Sequence, residues 1–422
     1  MNRGFYTIMA AQFFSSLADN ALLIVAISML ASNQSPAWMT PMLKLFFVAS
    51  YVLLAPFVGA FADELPKGRV MFITNLVKVI GCMMMFFNFH PLLAYAVVGF
   101  GAAAYSPAKY GILTELLPAE KLVAANGWIE GLTVLSIIFG TVLGGTLVSE
   151  QFAATITAML PVNDLELSIS LEVGLGVVMC SYLLAAAFNL KIPDTGARYA
   201  AQERNPFKLI VDFSHCFTSL WKDRLGQISL AVTSLFWGAG ATLQFIVLKW
   251  AEQALNMPLA KGAILQGVVA FGVAFGAMAA ARLVPLKKSL MVMPLGFVMG
   301  IIVTFMTLAH SVELAYPLLV LVGALSGFFV VPMNALLQHR GHVIMSAGHS
   351  IAVQNFSENA SILLMLALYA LLIKLDFSVN TVIISFGLFV ASIMWMVMRR
   401  HAANQREYDS LHLIGEKKHV DS

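Results

Sequence analysis

Runs of apolar residues long enough to cross a bilayer recur along the whole chain, and they restrict its architecture more than any other feature. The hydrocarbon core is about 30 Å thick and a helix rises about 1.5 Å per residue, so one crossing takes roughly 20 apolar residues. Twelve such runs can be drawn, at about 5–30, 41–62, 70–88, 91–116, 124–149, 168–190, 226–250, 260–282, 289–309, 313–337, 345–373 and 379–398. They are continuous rather than alternating, which points to helices and not to a β-barrel. Composition agrees, with 59% hydrophobic and only 11% charged residues, where soluble domains carry about 25% charged. The predicted fold class is all-α integral membrane, with twelve transmembrane helices.

The position of the basic residues sets an expected orientation. Of the 25 lysines and arginines, all but six fall at the N-terminus, in the inter-span segments on its side, or in the C-terminal tail. Lys44, Lys261 and Lys374 fall on the other side, and Lys78, Lys109 and Lys249 lie within or at the edges of spans. This asymmetry predicts that both termini are cytoplasmic. The net charge of +3 gives no argument for a nucleic-acid partner. The first run carries Asp19, is too long for a signal peptide and shows no small-residue cleavage site, so it reads as an uncleaved span.

Residues 191–225 form the one long polar stretch between spans. It divides the chain into an N-terminal six-helix bundle (1–190), a cytoplasmic linker (191–225), a C-terminal six-helix bundle (226–400) and a cytoplasmic tail (401–422). Within the linker, 205–213 reads as an amphipathic helix on the cytoplasmic surface. The tail is polar and is predicted to be poorly ordered. The halves echo each other weakly. Gly101-Ala-Ala-Ala-Tyr105-Ser106-Pro107, Glu115 and Asn126 to Glu130 are answered by Gly327 to Asn334 with Pro332, then Gln338, then Asn355 to Glu358. Two related bundles of this kind are typical of secondary transporters with a site between the halves.

Asp19 is the candidate that chemistry singles out. A carboxylate at membrane depth costs roughly 2.5–3.5 kcal/mol on insertion scales, so it faces protein, a polar cavity or a cation. With Asn20 it reads as a substrate or ion contact, or else as an interhelical lock. Lys109, just past Pro107 and followed by Tyr110, reads either as a phosphate-binding ammonium or as a lysine snorkelling to the interface. Glu130 and Glu358, with Asn126 and Asn355, occupy early turns of the fifth and eleventh spans, where a gate contact or a helix-end carboxylate is expected. Asp63, Lys67 and Arg69 join the second and third spans, and their mixed charges can pair across neighbouring helix mouths. His339, His342 and His349 fall near one loop and read as solvated. Gly140, Gly144 and Gly145, and Gly267, Gly272 and Gly276, read as surfaces where helix backbones approach closely. Cys82, Cys180 and Cys216 match no metal or redox spacing. No nucleotide loop, catalytic triad or metal-ligand cluster is visible. The expectation is therefore a protein that is not an enzyme and has no cofactor or metal.

These residues together carry a resemblance. The loop 59–69 resembles the signature loop of the major facilitator superfamily, with a stretched Asp-to-Gly spacing. More specifically, Ala18-Asp19-Asn20-Ala21-Leu22, the run Gly101 to Leu113, Ser234-Leu-Phe-Trp-Gly-Ala-Gly240 and Gly327 to Gln338 look like the bacterial lysophospholipid transporter family, and the likeness runs over essentially all twelve spans. The resemblance implies transport of lysophospholipids, notably lysophosphatidylethanolamine, across the inner membrane to its cytoplasmic leaflet. There a separate acyltransferase–acyl-carrier-protein synthetase rebuilds the diacyl lipid. It also implies a polar cluster of an acid in span one, a lysine in span four and an arginine in span seven. Asp19 and Lys109 match the first two. Gln244 stands where the arginine is expected, and Lys249 is about 140° further around a helix.

The resulting expectation is alternating access. The head group crosses a cleft between the bundles past Asp19, Asn20, Lys109, Tyr110 and Gln244, while the acyl chain stays on apolar surface. Asp19 pairs with the substrate ammonium, or with Lys109 in the empty state. Two rival readings remain from the residues alone. One is a proton-coupled exporter of amphipathic drugs, with Asp19 as the protonation site. The other is a non-transporting membrane scaffold.

Overall fold

The computed structural model describes residues 3–36, 38–159, 166–257 and 259–416, and all regular structure among them is helical. Before the linker come α1 (Arg3–Ser32), α2 (Met39–Leu53), α3 (Ala55–Glu64), α4 (Lys67–Phe86), α5 (Pro91–Leu116), α6 (Leu122–Leu147), α7 (Glu150–Met159) and α8 (Glu166–Leu190). The linker holds α9 (Pro206–Lys222). After it come α10 (Gly226–Ala254), α11 (Leu259–Leu283), α12 (Met293–Thr304), α13 (Val312–Ile344), α14 (Ala347–Lys374) and α15 (Val379–Glu407). Among the described residues eleven helical stretches are long and apolar enough to cross a membrane, and α2 with α3 makes a twelfth if the bent pair is one span. That pair is bent by 66°. Pro56 sits in the first turn of α3. Its ring has no N–H to offer the carbonyl of Val52 and crowds it, which ends α2.

By contacts the chain forms two compact units. The first holds Met1–Ile112 and Leu135–Ile210, the second Leu113–Val134 and Val211–Ser422. In the first, α8 packs against both α1 and α4. Leu22, Val25, Cys82, Val178 and Tyr182 are buried there. In the second, α11 lies backbone to backbone on α13, with Gly272 against the Val320 carbonyl and Gly327 against that of Val273. Gly140, Gly144, Gly272 and Gly276 all face a neighbouring helix, whereas Gly145 and Gly267 meet nothing within 4 Å among the described residues.

α7 lies between the fifth and sixth runs, where the sequence predicts no element. One local expectation changes: the tail is folded over its described residues. α15 runs on to Glu407, and Tyr408–Glu416 folds back against the second unit with Ser410 and Ile414 buried. Apolar burial at Ile414 and the partners described below for Glu416 give it the contacts that a polar composition does not announce. Lys417 and Lys418 lie outside the described residues, as does the side chain of Lys261.

Candidate functional site

Between Arg3 and Ser32 the only charge is Asp19, and the structure supplies its partners from two other helices. Lys78, in the middle of α4, places Nζ 2.8 Å from Asp19 Oδ2. The Tyr182 hydroxyl of α8 donates to Oδ1 at 2.8 Å. Lys78 also donates to Ser15 Oγ at 3.0 Å, and Ser15 donates to Asn75 Oδ1 at 2.8 Å. The Tyr105 and Tyr182 rings flank the ammonium with centroids 5.1 and 5.6 Å away. Opposite charges satisfy each other here at a depth where either alone is costly. The pair is asymmetric: the Lys78 side chain is 2% exposed and that of Asp19 18%. The acid is the half that remains reachable. Beside it, the Tyr105 hydroxyl and Asn75 Nδ2 are buried and make no hydrogen bond among the described residues.

Two close helix approaches build this cluster. A Cβ on Gly101 of α5 would stand 2.8 Å from both Lys78 Cγ and the Thr74 carbonyl, so only glycine lets α5 lie against α4 at Lys78. A Cβ on Gly140 of α6 would stand 2.8 Å from Asn20 Cβ, which brings α6 against α1 one residue from Asp19. Asn20 turns back on its own helix and donates to the Ser16 carbonyl at 2.8 Å.

Asp19 thus pairs with Lys78 and not with Lys109, which corrects the expected empty-state pair. α5 meets Lys78 at Gly101, and Lys109 lies eight residues on, about 12 Å further along the helix. Lys109 Nζ stands over the Tyr110 ring at 4.1 Å, and both side chains are half-buried. Gln244 belongs to the second unit. It is exposed on α10, and its carbonyl accepts from Gln266 Nε2 at 3.1 Å. Lys249 pairs on its own helix with Glu252 at 3.2 Å.

The residues read as a gate fall into two groups. In the first unit Lys67 and Asp63 are buried and form an ion pair, and Lys67 also donates to the Ala62 carbonyl at 2.7 Å. A cation there satisfies the carboxyl end of α3. Arg69 is exposed. Its charge acts on Asp194 in the linker, whose carboxyl is held down to about 2 mainly by its hydrogen bonds from Arg198 and then from the Gly196 amide. In the second unit Asn126 of α6 and Gln338 of α13 exchange amide hydrogen bonds of 2.8 and 2.9 Å. Gln354 of α14 donates to Asn334 at 3.2 Å and to Glu358 at 2.8 Å. Glu130, Asn355 and Glu358 are all buried in this unit.

Three consecutive residues of α13 hold three separate segments. Gln338 takes Asn126, His339 Nε2 accepts the Gly415 amide at 2.9 Å, and Arg340 takes Asp223 Oδ2 at 2.8 Å and Glu416 at 3.5 Å. His339 is therefore buried rather than solvated. Sequence reasoning missed Lys78, Tyr182 and Arg340 as structural partners. Lys78 did carry a signal, since it is a second charge inside an apolar span. Tyr182 carried none. Among the described residues no group of three His, Cys, Asp or Glu could hold a metal ion.

Comparison with known proteins is consistent with this architecture. Residues 8–365 match the family model of the Major Facilitator Superfamily. The lysophospholipid transporter LplT of Escherichia fergusonii is 42% identical over 404 residues, covering 95% of this chain and 97% of that protein. LplT of Yersinia enterocolitica is 43% identical over 376 residues, 89% of this chain and 88% of its own. Among solved structures, the transporter FucP in its outward conformation superposes with a TM-score of 0.73 at 14% identity, covering 94% of this chain and 98% of its own. A bacterial homologue of ferroportin in its outward-facing state gives 0.67 at 14% identity, covering 94% and 100%. These structural likenesses establish the fold alone. The family is one of transporters and not enzymes, and the chain belongs to the Major Facilitator Superfamily, within the family of the lysophospholipid transporters.

Proposed function

We propose that this protein carries lysophospholipids, notably lysophosphatidylethanolamine, across the bacterial inner membrane to the cytoplasmic leaflet by alternating access. The observation that carries the reading is the 42% identity to a lysophospholipid transporter over 95% of the chain. A polar cluster on α1, α4 and α8 supports it. The reachable Asp19 carboxylate takes the ethanolamine ammonium, with Asn20 beside it, while Lys78 and Tyr182 hold the carboxylate in place. Lys109 takes the phosphate as a point charge, and Tyr110 backs it. Gln244 of α10 is a further substrate contact. Asp63, Lys67, Arg69, Glu130, Asn355 and Glu358 are gate residues. The charge asymmetry supports both termini on the cytoplasmic side. Delivery to that leaflet supplies a separate acyltransferase–acyl-carrier-protein synthetase.

The test is uptake by proteoliposomes, with mono-acyl and di-acyl phospholipids compared in the presence and absence of ion gradients. Flux of the mono-acyl lipid, and its loss in Asp19→Ala and Lys109→Ala at equal protein level, is the expected result. Equal flux in both variants sinks the site. Flux of lipophilic cations driven by a pH gradient, without lysolipid flux, favours an exporter instead.

A further inference from the structure

The linker helix α9 presents three distinct faces. Asn205 Oδ1 accepts the Phe207 amide at 3.0 Å and Pro206 opens the helix, a favourable start for a helix. At about 100° per residue, Leu209, Phe213, Phe217 and Leu220 fall in one sector. Phe213 and Leu220 are buried, and the Phe213 and Phe217 rings pack edge-on against Phe356 of α14 at 5.4 and 5.9 Å. In the next sector Phe207, Ile210, Val211 and Trp221 are bare, at 79%, 47%, 51% and 39% exposure. Ser214 and Thr218 share it, with their hydroxyls turned back to the helix's own carbonyls of Val211 and Ser214 at 2.7 and 2.8 Å. The third sector is polar, with Lys208, Asp212, His215, Ser219 and Lys222.

We propose that α9 is seated in the interfacial layer of the bilayer, with Phe207, Ile210, Val211 and Trp221 in the acyl region and Lys208 and Lys222 among the lipid phosphates. Two observations identify a lipid leaflet as the occupant of the bare face. First, only Asp223, Arg224 and Leu225 separate α9 from the membrane span α10. Second, the depth is right. α14 has 28 residues, which is about 42 Å against a core of about 30 Å, so about 6 Å extends beyond the core at each end of an upright, centred helix. Phe356 lies nine residues into α14, about 14 Å from its start and hence roughly 8 Å inside the hydrocarbon boundary. Interfacial helices bury their apolar face about 5–10 Å into that boundary. An apolar face placed between a protein-docked face and a cationic face fits a lipid surface, and Trp221 is a residue type enriched at that level. The inference is independent of which substrate is carried.

The test uses the full chain in phosphatidylethanolamine–phosphatidylglycerol vesicles. Nitroxides are placed at Phe207→Cys, Ile210→Cys, Lys208→Cys and Asp212→Cys in a background with Cys82, Cys180 and Cys216 replaced by alanine. Collision with oxygen relative to a water-soluble nickel chelate is expected to be severalfold greater at 207 and 210 than at 208 and 212. Equal, water-like ratios at all four positions overturn the proposal. The unaltered protein provides a second readout. A lipid-soluble diazirine is expected to label the peptide of α9 at Phe207, Ile210, Val211 or Trp221. Protection of these residues from both lipid-soluble and water-soluble reagents places a protein partner there instead and also overturns it.

Discussion

The ion pair of Asp19 and Lys78 holds two charges in the middle of membrane-spanning helices, and each makes the other tolerable. Removing one partner of a buried pair leaves an uncompensated charge and typically costs about 3–5 kcal/mol. Lys78→Gln is therefore expected to lower the melting temperature sharply in detergent. Asp19→Asn with Lys78→Gln is expected to regain much of the loss, because the double variant buries no net charge. Additive losses in the double-mutant cycle are the outcome that contradicts direct coupling. Uptake separates the roles, since the stable double variant still lacks the acid and is expected to remain inactive. Gly101 acts on the same cluster through space rather than charge. In Gly101→Ala the new Cβ stands 2.8 Å from Lys78 Cγ and from the Thr74 carbonyl, so α4 and α5 must part. Overpacking of this kind costs about 1–3 kcal/mol. Lys78 moves with α4, so the variant is expected to lose uptake as well as stability. A variant with wild-type melting and uptake shows that the two helices separate without cost.

At the scale of elements, the end of α13 organises a whole face of the second unit. Arg340 is 6% exposed and receives Asp223 at 14% and Glu416 at 36% exposure. Asp223 in turn accepts the Gly226 amide at 2.7 Å at the start of α10. One guanidinium therefore ties the entrance of α10 and the C-terminal tail to α13. Its planar fork suits carboxylates that approach from two directions. Truncation after Glu407 removes Ile414, whose full burial is worth about 1.5–3 kcal/mol, and removes one of the two carboxylates on Arg340. Arg340→Ala leaves Asp223 mostly buried without its cation. Truncation is expected to lower thermal stability moderately and Arg340→Ala more strongly. The opposite ranking, measured by thermal unfolding of the two proteins side by side, indicates that apolar packing of the tail outweighs the charge network.

For the whole molecule, what was legible in the sequence follows from what lipid forces on a chain. Backbone polar groups must be satisfied within each span, so hydropathy locates the spans. Eleven described helical stretches, or twelve if the bent α2–α3 pair is one, fall on the predicted runs. Their ends differ, as where α13 runs to Ile344 and α15 to Glu407. The break at Pro56 was not readable, because a proline within an apolar run marks either a kink or an end. Asp19 was legible because an isolated charge in lipid needs an explanation. Its partner was not, since Lys78 and Lys109 look alike in sequence, and only the approach of α5 at Gly101 separates them. Asn126 and Gln338 both stand in the internal echo, but the echo does not pair them with each other. Their exchange of hydrogen bonds lies within the second unit, which takes the start of α6 from the N-terminal half of the sequence. If transport by alternating access parts the start of α6 from α13, this contact opens once per cycle. The contact is cheap enough to open, because a neutral hydrogen bond nets about 0.5–1.5 kcal/mol. Asn126→Cys with Gln338→Cys, bridged by a reducible bifunctional thiol reagent, is expected to abolish lysolipid uptake, and reduction is expected to restore it. Undiminished uptake with the bridge in place means that α6 and α13 stay together throughout transport, and the moving boundary must then be sought elsewhere.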